Sequence, residues 1–445
     1  MAYQEVKTTG YGTRLARSFK GIGSGFLFFF GATALLWWNE GRAVKTDKML
    51  NEAEGAYVEM ENPDKKDATL DGELVCATAV ATTEDSLVDK QFGVGVKAIS
   101  LQRRVEYYQW VEHAEKNTDD KLGGREVTTT TYTYSLEWVS EPVNSSKFKD
   151  DAYKSKNFVL TTIENDEQWA ENVTFGAYKL NEALIHRISS REDVDLAISD
   201  DLLAQIDKNT QVAYERFYGV KKTPEKPAPA PEVVIPDSIK AVNDSIQAVT
   251  DSLMANAENK KELEYIHQAG KVLYLGRVPG SPEVGDVRVT FEKIVPAKVT
   301  IISQVDGDTF KPFKAKNGKR FQTLVMGRKD AGDIFDAEHD ANTMWLWILR
   351  ILGVMLVIAG LNGILGIVKS IFNVVPFIAG IFGWGVGVVC TVIGLVWSLI
   401  VIAIAWLFYR PLLGIALLAI AAFLIWTFAF KGKDKLKELA EKAKA

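Results

Sequence analysis

WLWILRILGVMLVIAGLNGILG, residues 345–366, opens the stretch on which the fold turns. From Trp345 to Phe430 the chain runs 86 residues with three charged side chains, Arg350, Lys369 and Arg410, and no Asp or Glu. A soluble helix is rarely apolar on every face for so long. A bilayer crossing takes about 20 such residues, because roughly 30 Å of hydrocarbon is climbed at 1.5 Å per residue. The block holds three crossings: 345–368, 386–408 and 411–430. An interfacial segment, 369–385, is broken by Pro376 and glycines. Tyr409, Arg410 and Pro411 form a tight reversal between the last two helices, with Pro411 suited to a first helical turn. Arg350 sits one turn inside its span, where it either snorkels to the interface or is a buried functional cation. Asn362 lies deeper, placed to bond a neighbouring helix.

Residues 21–38 form another apolar run without a charge, ended by Trp37 and Trp38. It is long for the core of a cleaved signal, so it reads as an uncleaved anchor. Residues 1–20 and the Lys-rich tail 431–445 each carry a net +3, while 39–344 carries −14. Basic flanks stay cytoplasmic, so both termini lie there and the span count is even. The expectation is an integral membrane protein with four transmembrane helices, one N-terminal and three C-terminal. A large extracytoplasmic α+β, β-rich domain, 39–344, lies on the other side. Its acidity excludes nucleic acid as its partner. Trp38, Asn39, Glu40, Gly41 and Arg42 read as a membrane-exit motif, with a turn at Gly41 and Arg42 paired to Glu40 or to lipid phosphate.

Within the domain, 68–220 reads as strands followed by helix. Strands are expected at Leu74–Ala81, along 94–111, through the Thr-rich 126–140 and at 158–163, and helical spacing runs over 180–209. Residues 221–268 hold a Pro/Ala linker and an amphipathic helix. Ile239, Val242, Ile246, Val249 and Leu253 repeat there at coiled-coil spacing, a seam for self-association or for docking on the domain itself. Residues 270–335 return to strands, either half of one split domain or a duplication.

Several ordered motifs carry a resemblance. Trp38-Asn39-Glu40-Gly41-Arg42-Ala43-Val44 directly after the first span, VEYYQWVE at 105–112, and YTYSLEW at 132–138 with Asn144 and Phe148 are three of them. PEVGDVRV at 282–289 and WLFYRPL at 406–412 complete the set. Together these are similar to the LUMA family, the transmembrane protein forty-three family, over roughly 35–220 and 270–430. The resemblance implies one span, a large lumenal domain and three spans. It also implies a role in organising membranes or membrane-protein complexes at the endoplasmic reticulum and inner nuclear membrane. The linker and insertion suggest a bacterial member, with the domain in the periplasm of an inner membrane.

No chemistry-bearing constellation stands out. His113, His186, His267 and His339 are scattered without metal-ligand spacing, and no phosphate loop or nucleophile elbow lies in a fitting context. The acidic run Asp330, Asp333, Asp336, Glu338 and Asp340 reads as a solvated collar. The sequence therefore points to a non-enzymatic scaffold without cofactor or metal, partnered by the lipid bilayer, by further copies of itself and by other membrane proteins. A channel or transport subunit is the alternative, and an extracytoplasmic enzyme the remoter one.

Overall fold

The computed structural model describes residues 3–121, 125–219, 263–366 and 376–410, with seven further helical residues between 415 and 426. The seam at 239–253, the tail 431–445 and Pro411 lie outside the described residues.

The chain opens with a strand, β1 (Tyr3–Thr9), and the long helix α1 (Tyr11–Glu54). The domain follows with β2 (Tyr57–Glu59), β3 (Leu74–Thr83), β4 (Ser86–Val88) and β5 (Gly95–Lys97). A long ribbon pairs β6 (Ser100–Lys121) with β7 (Arg125–Val139). Then come β8 (Asp166–Trp169), β9 (Val173–Phe175), β10 (Tyr178–Lys179), the one-turn α2 (Glu182–Ile185), β11 (Arg191–Asp193) and α3 (Asp200–Tyr218). After the gap in description lie β12 (Ile266–Ala269), β13 (Val272–Leu275), β14 (Val287–Ile294), β15 (Ala297–Asp306) and β16 (Thr309–Lys311). The last strands are β17 (Phe313–Lys314), β18 (Arg320–Phe321) and β19 (Thr323–Met326), before helices α4 (Ala331–Ile364) and α5 (Pro376–Tyr409).

The two β-rich stretches are one split domain. β14 pairs antiparallel with β6, and β15 with β3, so each sheet is knitted from both sides of the insertion. One sheet runs β1-β7-β6-β14-β13-β12. Its inward residues alternate as a one-faced sheet requires: Val287, Val289 and Phe291 of β14 meet Leu101 and Val105 of β6. In the other sheet β3, β15, β16, β10 and β9 pair in a closed ring. Val75, Ala77, Ala79 and Ala81 alternate into its core against Val299, Ile301, Phe175 and Phe310.

Among the described residues three helices are long and apolar enough to cross a membrane: Tyr11–Glu54, Ala331–Ile364 and Gly385–Tyr409. The first runs unbroken for 44 residues, about 66 Å, well past the expected end at 38. Residues 376–385, read as interfacial, continue into the next span as one helix that Pro376 opens. Met49, Leu50 and Ala53 of α1 and Ala331, Ile334 and Phe335 of α4 are buried against Leu74, Cys76, Ile302 and Phe321 of the domain. The helices thus pack directly on the face of β3 and β15 that points away from the ring's own core.

Other expectations are corrected. Residues 3–9 are not a free tail. They add an edge strand to β7, from Tyr3 opposite Tyr132 to Thr9 opposite Glu126, and Arg14 and Arg17 reach Glu126. Residues 158–163 form no strand; Leu160 and Ile163 are buried from irregular backbone. The spacing over 180–209 is not one helix, since only 182–185 and the residues from 200 onward are helical.

Candidate functional site: a polar clamp between three spans

The exit motif does not exit. Asn39, Glu40 and Gly41 are buried inside α1, and Gly41 makes no turn. The Glu40 side chain is only 1 % exposed. Its carboxylate receives Arg350 of α4 in a forked pair, Nε to Oε1 at 2.6 Å and Nη2 to Oε2 at 2.8 Å. Trp406 of α5 donates its indole N–H to Oε2 as well. The Arg350 guanidinium lies 4.8 Å from the Trp347 ring centre and 5.1 Å from that of Trp406. Arg350 therefore neither snorkels to the interface nor faces a water path. A planar guanidinium matches a carboxylate fork and stacks on indole, which is why Arg and not Lys suits this position.

Asn39 and Arg42 extend the clamp. Asn39 donates Nδ2 to the Leu346 carbonyl at 3.0 Å and accepts from Arg42 Nε at 3.3 Å. Arg42 Nη1 reaches Asn342 Oδ1 at 3.3 Å, and Asn342 returns a bond to the Ala43 carbonyl at 3.0 Å. Arg42 thus pairs with amides, not with Glu40. Trp38, the first residue of the motif, faces outward. A Cβ on Gly41 would stand 2.7 Å from the Tyr409 hydroxyl, so a larger residue here would displace the Tyr409 ring of α5. The reversal residues fasten the same end: Arg410 Nη2 meets Asp47 Oδ2 at 2.7 Å, and Asp47 Oδ1 meets His339 Nδ1 at 3.1 Å.

Deeper in the bundle, Gly25 packs against Gly360 and Gly363 so closely that a Cβ on Gly25 would lie 2.8 Å from the Gly360 carbonyl oxygen. These glycines let α1 and α4 touch backbone to backbone within the chain. Asn362 donates to the Ile358 carbonyl of its own helix at 2.9 Å.

Sequence reasoning named Glu40 and Arg350 but did not join them. They are 310 positions apart. The available signal was two opposite charges, Arg350 one turn inside its apolar span and Glu40 two residues past the end of the other, on helices that run antiparallel.

Elsewhere the geometry offers little chemistry. His113, Ser135 and Glu137 meet on the ribbon, but both partners contact His Nε2, at 3.1 and 2.8 Å. A relay needs the two ring nitrogens to serve different partners. Among the described residues no three metal-ligating side chains gather. Two open grooves of about 550 and 570 Å³ share Arg104 and Glu292, and their cations are matched by Asp89, Glu192, Asp193 and Glu292. Both cysteines are buried, and burial pushes the Cys76 thiol up to about 12, which leaves it inert. Asp286 is fully buried in the domain. It accepts Tyr274 Oη and, at 2.8 Å, the Glu283 N–H on one oxygen, and burial pushes its carboxyl up to about 6.

The family model for Transmembrane protein 43 matches residues 107–411. The chain belongs to the Transmembrane protein 43 family. It is similar to the Transmembrane protein 43 of Rattus norvegicus, 28 % identical over 92 % of this chain and 90 % of that protein. It is likewise similar to that of Homo sapiens, 27 % identical over 94 % and 92 %. The Transmembrane protein 43 homolog of Drosophila melanogaster is 22 % identical over 89 % and 91 %. No solved structure matches. Membership of the Transmembrane protein 43 family and the three apolar helices make this an integral membrane protein with a large β-rich domain.

Proposed function

We propose that the chain is a non-enzymatic, four-span scaffold that self-associates and organises membrane proteins, with 411–430 as the fourth span. The clamp carries this reading. The Glu40 carboxylate and the Arg350 guanidinium are spent on each other and on two indoles, so the buried polar groups of the bundle fix helices instead of offering a reactive or conducting atom. The outward stripe Ile348, Ile351, Leu352 and Met355 on α4 is left for lipid or a second copy. Mass measurement of the intact protein in detergent, with crosslinking in native membranes, tests this. More than one copy is expected; a monomer in both settings overturns it.

The domain 39–344 is placed opposite both termini, on the charge asymmetry of the flanks. The β1–β7 ladder and a bilayer crossing by 21–38 exclude each other, because a Thr-rich ribbon with open edges does not survive in hydrocarbon. We therefore assign the ladder to the chain outside lipid and the separated tail to the inserted protein. The animal relatives favour a lumenal domain at the endoplasmic reticulum or inner nuclear membrane over a periplasmic one.

A further inference from the structure

Beyond the hydrocarbon edge marked by the outward-facing Trp38 and Trp345, α1 carries Arg42 and Lys45. The β17–β18 hairpin brings a third cation to them. Asn317 Nδ2 donates to the Lys45 carbonyl at 2.7 Å, and Lys319 Nζ donates to Thr46 Oγ1. One more hairpin atom is tied to the helix, since the Lys316 N–H is shared between the two Glu52 carboxylate oxygens, 3.1 Å from each. The hairpin is thus pinned to α1 along two turns, and Lys319 is held where Arg42 and Lys45 already stand.

Among the described residues no carboxylate forms an ion pair with these charges; Glu40 is near enough to attract Arg42 but is itself paired to Arg350. The acidic residues of α1 that could do so are committed elsewhere: Glu40 to Arg350, Asp47 to His339 and Arg410, and Glu52 to the hairpin backbone. Among the described residues Lys45 and Lys319 form no ion pair, and Arg42 bonds only neutral amides. Partial burial, with Arg42 and Lys45 close by, lowers the Lys319 ammonium from its ordinary value, as a cation short of counter-charge should be. A fold that anchors three cations together at this cost leaves room for an anion.

We propose that Arg42, Lys45 and Lys319 bind the phosphate of an anionic phospholipid headgroup in the leaflet facing the β-rich domain. The height fits. Lys45 lies about 10 Å along the helix from Trp38, within reach of the headgroup layer once a lysine stem extends. Arg42, whose guanidinium nitrogens already donate to Asn39 and Asn342, adds its charge to the site, and the two lysines supply the donors to phosphate oxygens. The inference rests on α1 and α4 crossing a bilayer.

The test uses the full chain in a neutral detergent. Thermal unfolding is followed on adding phosphatidylglycerol, phosphatidylcholine or inorganic phosphate, for the wild type and for Lys45→Gln/Lys319→Gln. Phosphatidylglycerol is expected to raise the wild-type midpoint, and the variant to lose roughly two thirds of that shift with two of three cations gone. Lys45→Arg/Lys319→Arg keeps the charge and is expected to keep the shift, which separates lost binding from lost folding. Equal shifts in wild type and Gln variant, no shift in the wild type, or the same shift from inorganic phosphate alone would overturn the proposal. Alkaline carbonate extraction of wild-type membranes reports on the spans separately. Protein that stays in the pellet yet ignores anionic lipid sinks this inference alone.

Discussion

Glu40 and Arg350 show what a single side chain contributes here. Removing one partner strands the other as an unpaired buried charge, a loss of about 3–5 kcal/mol, whereas replacing both with apolar side chains removes the desolvation cost along with the attraction. Glu40→Gln and Arg350→Leu are therefore each expected to lower the unfolding midpoint in detergent sharply. Glu40→Met/Arg350→Leu should fall far short of the sum of the two losses. Additive losses would mean that the two side chains do not act as a pair. Asp286 makes the second residue-scale prediction. Its carboxyl is protonated in the fold up to about pH 6 but ionises near pH 3.9 in the unfolded chain. Its contribution is full below pH 4 and is lost as pH rises through 6. Relative to wild type, Asp286→Asn should gain roughly 1–3 kcal/mol between pH 4 and 7, read from paired melting curves. A constant difference across that window would count against a protonated Asp286.

At the scale of the element, the α1–α4 crossing depends on glycine. The Gly25 and Gly360 backbones touch, so Gly25→Leu should push the helices apart and cost about 1–3 kcal/mol or more. Midpoint and particle mass measured together decide what the glycines do. A lower midpoint at unchanged mass fits packing within one chain; a halved mass at unchanged midpoint would assign them to self-association instead. Elements were legible where local chemistry dominates. The β-branched and Thr-rich runs at 74–83 and 125–139 are strands because their side chains fit a pleated sheet. Reading failed where long-range packing overrides local preference. Asn39, Glu40 and Gly41 look like a helix end, yet each is held helical by a partner about 300 positions away or more. Leu184, Leu196 and Leu203 share a helical spacing by coincidence, because two sheet cores collect them from irregular backbone and from separate helices.

For the whole molecule, three of the four expected apolar helices stand among the described residues and were readable from hydropathy, since lipid demands that backbone groups be satisfied within a segment. The joining of β3 to β15 and β6 to β14 was not, because strand pairing across an insertion leaves no periodicity in either partner. The side of the membrane taken by residues 3–9 is open to direct measurement. Val6 faces Thr129 in the ladder, so Val6→Cys/Thr129→Cys should crosslink in protein kept out of lipid and fail to do so in sealed vesicles. Efficient crosslinking in vesicles would put the N-terminus and the domain on one side and end the two-sided arrangement.

The uninterrupted run of α1 and α4 onto the outer face of the closed β3–β15–β16–β10–β9 ring, a small barrel, has a mechanical consequence. A thinner or thicker bilayer changes helix tilt, and a stiff rod of about 66 Å converts a change of roughly 10° into a swing of about 10 Å at its far end. With no hinge to absorb that swing, the barrel moves as a lever arm. The distance between its outer surface and any neighbour then reads out the thickness of the membrane beneath.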